Sequence, residues 1–341
     1  MSSNRDKIII VLGMHRAGTS AITRSLQVLG ARLGDQFCDP QEDNPKGFWE
    51  DKDLMDLNVE MFDSLGMAWN RLTPITKEEV ATLMERGFLE KAHGFLNKKL
   101  GRGGIVALKH PGTAKIFPFW KEAFARCECE VNYLLTVRHP LSVAKSLARR
   151  DGIQKCYGTL MWLAHVIPSL SVPKGSRALV TDYDLFMSNP TSELGRIAHC
   201  FQLEVKPGEL KSYLDEFLDS GLRHSSFVLS DLETDPDLPS LVSEVYRGLR
   251  DLASDRVRLE DSKSVDMIHR WAAEFEGFHP FLKFIETITA ERDHQAILLD
   301  NATREIAWRD ASISWRMTRP LRQLRTLSRT VFGSGRTAGK L

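Results

Sequence analysis

The stretch Gly13-Met14-His15-Arg16-Ala17-Gly18-Thr19-Ser20 holds the residue types with the clearest chemistry. It follows the apolar run Ile8–Leu12 and precedes a helical pattern with Ala21, Ile22, Leu26 and Leu29 on one face. That order is strand, turn, helix. Glycine lets the backbone approach a ligand closely, and free N–H groups at a helix start, aided by the helix dipole, attract an anion. Arg16 adds a fixed positive charge and Thr19 and Ser20 add hydroxyl donors, so the spacing predicts a phosphate-binding turn.

The spacing Gly13-x4-Gly18 matches the P-loop template, but Thr19 stands where a nucleoside-triphosphate enzyme carries the lysine that reaches the β- and γ-phosphates. The loop His15-Arg16-Ala17-Gly18-Thr19-Ser20 instead resembles the 5′-phosphosulfate loop of sulfotransferases that use 3′-phosphoadenosine 5′-phosphosulfate (PAPS). That loop reads Pro-Lys-Ser-Gly-Thr-Thr or, in bacterial members, His-Arg-Ser-Gly-Thr-Ser; Arg16 falls on the basic position and Ala17 departs at the serine. Further on, Arg138-His139-Pro140-Leu141-Ser142-Val143-Ala144-Lys145-Ser146 resembles the family's Arg-x-Pro-x-Asp-x-x-x-Ser segment, with Ser142 in place of the aspartate. Asn44–Asp51 resembles an Asn-Pro-x-Gly-(Phe/Tyr)-x-Glu segment, Lys109-His110-Pro111 stands where many members have Lys-Asp-Pro, and Val180–Pro190 resembles a Val-x-Tyr-(Glu/Asp)-Asp-Leu…Asn-Pro segment. The likeness covers residues 7–225.

The resemblance implies transfer of a sulfuryl group from PAPS to a hydroxyl of a carbohydrate or glycolipid acceptor in a bacterium, with 3′,5′-adenosine bisphosphate (PAP) as product and no metal. It assigns donor binding to Arg16, Ala17, Gly18, Thr19 and Ser20, and the 3′-phosphate to Arg138 and Ser146. Such transfer needs a cation near the bridging oxygen, for which Arg16 is the candidate, and a base for the acceptor proton. Two residues compete as base: Glu50, which matches a glutamate of glycan-modifying members, and His110, which follows a strand at the open edge. Leu222-Arg223-His224 resembles a late Leu-Arg-His segment and stays outside the site. Two alternatives carry different chemistry. One is a nucleotide-dependent kinase on the same architecture; the other is an inactive binding or scaffold protein, for which Ala17, Ser142 and His110 are the departures.

The elements that must position these residues are legible as apolar runs. Ile105–Leu108, Val131–Val137 and Arg177–Thr181 read as strands ending in Lys109-His110, Arg138-His139 and Asp182-Tyr183, each followed by a helical pattern. Strand, polar turn and helix recur, which predicts an α/β fold with a doubly wound, mainly parallel sheet and ligand groups at the carboxyl ends of its strands. The predicted organisation is a nucleotide-binding domain over 1–230, a helical extension over 231–315 and a basic amphipathic tail over 316–341. From Ile285 to Ile313 a seven-residue spacing is interrupted by Arg292 and Gln295, so it predicts a helix packed on the body or on a partner rather than a coiled coil.

With 341 residues, 42% of them hydrophobic and 27% charged, the chain has the composition of a globular protein with a sizeable core. Its five cysteines are scattered, without zinc-ligand spacing, and predict free thiols in a reducing compartment. The net charge of +1 conceals an asymmetry: Arg316–Leu341 carries +7 without an acid, on a body at −6. Leu321, Leu324, Leu327 and Val331 form an apolar stripe beside Arg322, Arg325 and Arg329, which predicts peripheral contact with an anionic membrane face. A cytoplasmic location follows, reaching to the inner membrane face, with no nucleic-acid partner.

Overall fold

The computed structural model of the chain describes residues 6–38, 44, 46–218, 227–312, 316–318, 320 and 322. It is an α/β protein with a four-stranded, wholly parallel sheet. The strands are β1 (Lys7–Leu12), β2 (Ile105–Lys109), β3 (Glu130–Val137) and β4 (Arg177–Asp182). Between β1 and β2 lie α1 (Thr19–Ser25), a 3-10 turn at Leu26–Leu29, α2 (Lys52–Leu65), α3 (Lys77–Glu85) and α4 (Phe88–Leu100). Helices α5 (Pro111–Lys115) and α6 (Phe117–Ala125) join β2 to β3, and α7 (Pro140–Asp151) and α8 (Lys155–Ser169) join β3 to β4. After β4 come α9 (Tyr183–Ser188), α10 (Pro190–Phe201) and α11 (Pro207–Ser212), which passes into a π-helical turn at Tyr213–Phe217. Then follow α12 (Leu229–Glu233), α13 (Ser240–Ala253), α14 (Ser262–Gly277) and α15 (His279–Ala311).

Strand order is β2-β1-β3-β4. The chain leaves β1 for β2 on one side, then crosses back past β1 to β3 on the other. The carboxyl ends of β1 and β3 therefore flank a topological switch point, where the loops diverge and leave a crevice. The register Leu12↔Leu135 brings the turn after β1 level with the end of β3, and Val11↔Lys109 brings the end of β2 to the same edge.

Alternation along the strands feeds a core on each face. Ile9 and Val11 pack with Ile22, Leu26, Leu134, Phe186, Ile197 and Phe201 under α1, α9 and α10. On the opposite face Tyr133 meets the rings of Phe117 (5.6 Å) and Phe124 (6.2 Å) from α6. Helices thus cover both faces, as near-continuous apolar strands require. Helix α8 begins at Lys155, one turn before the position that periodicity indicates, because Lys155, Cys156 and Tyr157 are polar or half-exposed and add nothing to the buried face.

Compact packing extends through Leu282; Lys283–Leu341 form a second unit. Within the first unit, α13 buries Leu241, Val242, Val245, Leu249 and Leu252, and its Tyr246 hydroxyl donates to the Asp182 carboxylate at the end of β4 (3.3 Å). In α15 every residue from Glu291 to Asp310 is exposed, Leu299 at 70% and Trp308 at 75%. No helix among the described residues is long and apolar enough to cross a membrane. Leu222-Arg223-His224 and nearly all of the basic tail lie outside the described residues.

Candidate functional site

The turn after β1 is built by steric necessity at two glycines. A Cβ on Gly13 would come within 2.6 Å of the Thr136 carbonyl oxygen on β3, and one on Gly18, at φ +81°, would lie 2.0 Å from the Tyr183 ring. Between them Arg16 holds a left-handed backbone (φ 66°), and Trp49 does the same (φ 54°) one residue before Glu50. Strained non-glycine positions of this kind cost about 1–3 kcal/mol each and cluster at ligand sites.

The turn lines a pocket at the switch point together with residues of the segment 46–50, the ends of β2 and β3, helices α7 and α9, and the turn at Phe217. Among the described residues its walls carry five cations, Arg16, Lys46, Lys109, Arg138 and Arg150, against one carboxylate, Glu50. Gly18, Thr19 and Ser20 lie on the same wall. Such a balance favours a ligand with several negative charges.

Arg16 and Arg138 are tied together. The Arg16 Nε donates to Ser146 Oγ (2.8 Å), and an Arg138 guanidinium nitrogen donates to the Arg16 carbonyl oxygen (3.2 Å). The Arg138 guanidinium lies 4.7 Å from the Tyr183 ring centroid, and its Nε is buried without a hydrogen-bond partner among the described residues. A buried charged donor without an acceptor is a costly arrangement that an anionic ligand relieves. Ser142 Oγ, one helical turn in, is likewise buried and unpartnered.

At the other wall, the Lys109 ammonium donates to Glu50 Oε1 (2.8 Å), to the Phe48 carbonyl oxygen (2.6 Å) and to Ser20 Oγ (3.4 Å). Burial pushes the lysine below its ordinary pKa, while the Glu50 carboxylate opposes that shift. Lys109 is 2% exposed and Glu50 9%, so the pair is shielded from solvent on all but the pocket side.

His110 stands behind this pair. Trp120 Nε1, which can only donate, points at Asn58 Oδ1 (2.8 Å); the Asn58 amide nitrogen is thereby turned toward Thr113 Oγ1 (2.9 Å) and His110 Nδ1 (3.0 Å). Nδ1 is therefore an acceptor and the proton of the neutral ring sits on Nε2, 3.9 Å from Glu50 Oε2. Burial pushes the imidazole down to about 4. His165, fully buried, is pushed by burial to about 3, and His15, on the pocket wall, is pushed well below its ordinary value by burial and by the neighbouring His165.

No family model matches the chain. No curated protein matches it either. Among solved structures, a sulfotransferase domain from the olefin synthase of Synechococcus PCC 7002 aligns over 79% of this chain and 95% of its own, with 14% identity and a TM-score of 0.37.

Of the residues singled out in the sequence, Arg16, Gly18, Thr19, Ser20, Glu50 and Arg138 meet on the pocket wall, and Ser146 reaches it through Arg16. Ala17 is buried beneath the turn, and His110 lies off the wall, behind Glu50. The sequence reading gave no role to Lys109, Arg150 or Asn58. Arg150 was within reach, since it lies four residues after Ser146 and so on the same face of α7; it pairs with Asp151 (2.8 Å) and covers the Trp69 ring at 5.6 Å. Lys109 shows itself in sequence only as a charge closing a buried strand.

Proposed function

We propose that the protein is a sulfotransferase that moves a sulfuryl group from PAPS to a hydroxyl of a carbohydrate or glycolipid. The observation that carries the reading is the link from Arg138 through Arg16 to Ser146 on the wall of a pocket with five cations and one carboxylate. The residues fit a donor with a phosphate at each end of a nucleoside: the Gly13–Ser20 turn for the 5′ end, Arg138 with its unpartnered Nε and Ser146 for the 3′-phosphate. Phe217 offers an aromatic face on the same wall. PAPS supplies a sulfuryl group already activated on a phosphate oxygen.

The chain's own residues do the rest. Glu50 takes the proton of the attacking hydroxyl, and Lys109 and the turn at Phe48 hold its carboxylate in place. Arg16, on the pocket wall, would stabilise the charge that develops on the departing nucleotide as the sulfur–oxygen bond breaks. His110, neutral and fixed by Asn58, positions Glu50 from behind rather than taking the proton itself, because the nitrogen facing Glu50 already carries one. Glu50→Gln tests the assignment: turnover with labelled PAPS falls about 10²–10⁴-fold while PAP affinity changes less than about twofold. Unchanged turnover in that variant removes Glu50 from the role. The tail Arg316–Leu341 we assign to an anionic lipid surface. Vesicle flotation of the full chain against residues 1–314 reads this, and equal partitioning removes it.

A further inference from the structure

At the opposite end of β3 from Arg138, the turn that follows α6 places Cys127 Sγ and Cys129 Sγ 3.0 Å apart. This is closer than two sulfurs rest in ordinary contact, and both side chains are half-buried with a path to solvent. Cα atoms two residues apart in a bent chain fall within the span that a disulfide bridges. The turn is anchored on both sides, by the Cys127 N–H to the Phe124 carbonyl oxygen (3.0 Å) and the Glu130 N–H to the Asp6 carbonyl oxygen (3.0 Å), so the two thiols are held facing each other. No third His, Cys, Asp or Glu among the described residues completes a metal site around them.

We propose that Cys127 and Cys129 are a dithiol site that exchanges with low-molecular-weight disulfides such as glutathione disulfide, closing reversibly into an intrachain disulfide. The Cys127 thiolate attacks one sulfur of glutathione disulfide; a mixed disulfide forms and one glutathione thiolate leaves. Cys129 then loses its proton to solvent and attacks the Cys127 sulfur, which closes the ring and releases the second glutathione. Two electrons pass from the cysteine pair to glutathione disulfide, and the balance needs no other oxidant. The order of attack follows from the pair's own hydrogen bond, which lowers Cys127 and, with burial, raises Cys129, making the first the nucleophile and the second the resolving thiol.

The test equilibrates the reduced full chain in glutathione buffers of graded potential, alkylates free thiols and weighs the peptide 127–138. The proposal predicts that the thiol count falls from five to three and that this peptide carries no alkyl group and weighs about 2 Da less than its unalkylated dithiol form. Cys129→Ser traps glutathione on Cys127, whereas Cys127→Ser leaves Cys129 unmodified under the same buffers. The proposal is overturned if both thiols stay alkylatable across the series, if each carries its own glutathione, or if the lost thiols map to other cysteines.

Discussion

Lowering the pH from 8 to 5 should destabilise this fold through its buried histidines. His110 and His165 are held neutral by burial, at about 4 and about 3, where the unfolded chain titrates near 6.5. A folded pKa below the unfolded one means that the unfolded state binds protons first. The stability is intact above pH 6.5 and drains away as the pH falls toward the folded values. At pH 5 each histidine then removes about 2 kcal/mol relative to pH 8, about 4 kcal/mol for the two, which is a large share of a typical domain's stability. His15 acts in the same direction. Asp182, raised by burial, acts in the opposite direction, so the slope is compared between the wild type and the histidine variant rather than taken from the wild type alone. Urea unfolding followed by the fluorescence of the buried Trp120 and Trp162 at pH 8, 7, 6 and 5 measures the slope. His165→Asn should recover about half of the loss at pH 5. A midpoint that stays level from pH 7 to 5, or a variant with the wild-type slope, refutes the assignment of neutral buried rings.

Three further outcomes follow from single contacts. Lys99 is 2% exposed and bonds Asp51 (2.6 Å) and Asp53 (2.9 Å); Lys99→Met leaves Asp51 unpaired at 0% exposure. Denaturant titration should show a loss of about 3–5 kcal/mol. Because those partners raise Lys99 above its ordinary value, the wild-type contribution is complete below the unfolded pKa and disappears as the pH rises through the folded one. Ser146→Ala removes the acceptor of the Arg16 Nε bond, and calorimetry should show PAP affinity weakened by about tenfold, the worth of one charge-assisted hydrogen bond. Gly18→Ala puts a Cβ into the Tyr183 ring at a left-handed backbone position, so thermal unfolding should move down by several degrees, about 1–2 kcal/mol or more, with nucleotide binding lost in the same variant.

The sheet was legible because its strands are buried on both faces and so appear as unbroken apolar runs, Ile8–Leu12 and Val131–Val137 above all. Their spatial order was not, because parallel apolar strands carry no mark of their neighbours; only pairing reveals that β1 lies between β2 and β3. The Gly13–Ser20 turn was legible for a related reason, since glycine and hydroxyl residues after a strand have few other uses. The setting of Glu50 was hidden. Its partner Lys109 comes from 59 residues away and acquires meaning only when Val11↔Lys109 register brings β2 level with the turn. The tautomer of His110 depends on Asn58 in α2 and on Trp120 in α6, a chain of hydrogen bonds with no local sequence pattern. Periodicity indicates over 285–313 a helix packed on the body or on a partner; in the chain by itself α15 is exposed from Glu291 to Asp310.

Calorimetric titration of the full chain with 3′,5′-adenosine bisphosphate, beside 5′-AMP and ATP with magnesium, tests the donor assignment most directly. The cation-rich pocket predicts binding of the bisphosphate, about tenfold weaker binding of 5′-AMP for want of the 3′-phosphate contacts, and loss of the difference between them in Arg138→Ala. Preference for ATP with magnesium, or no binding of any of the three, contradicts the sulfotransferase reading.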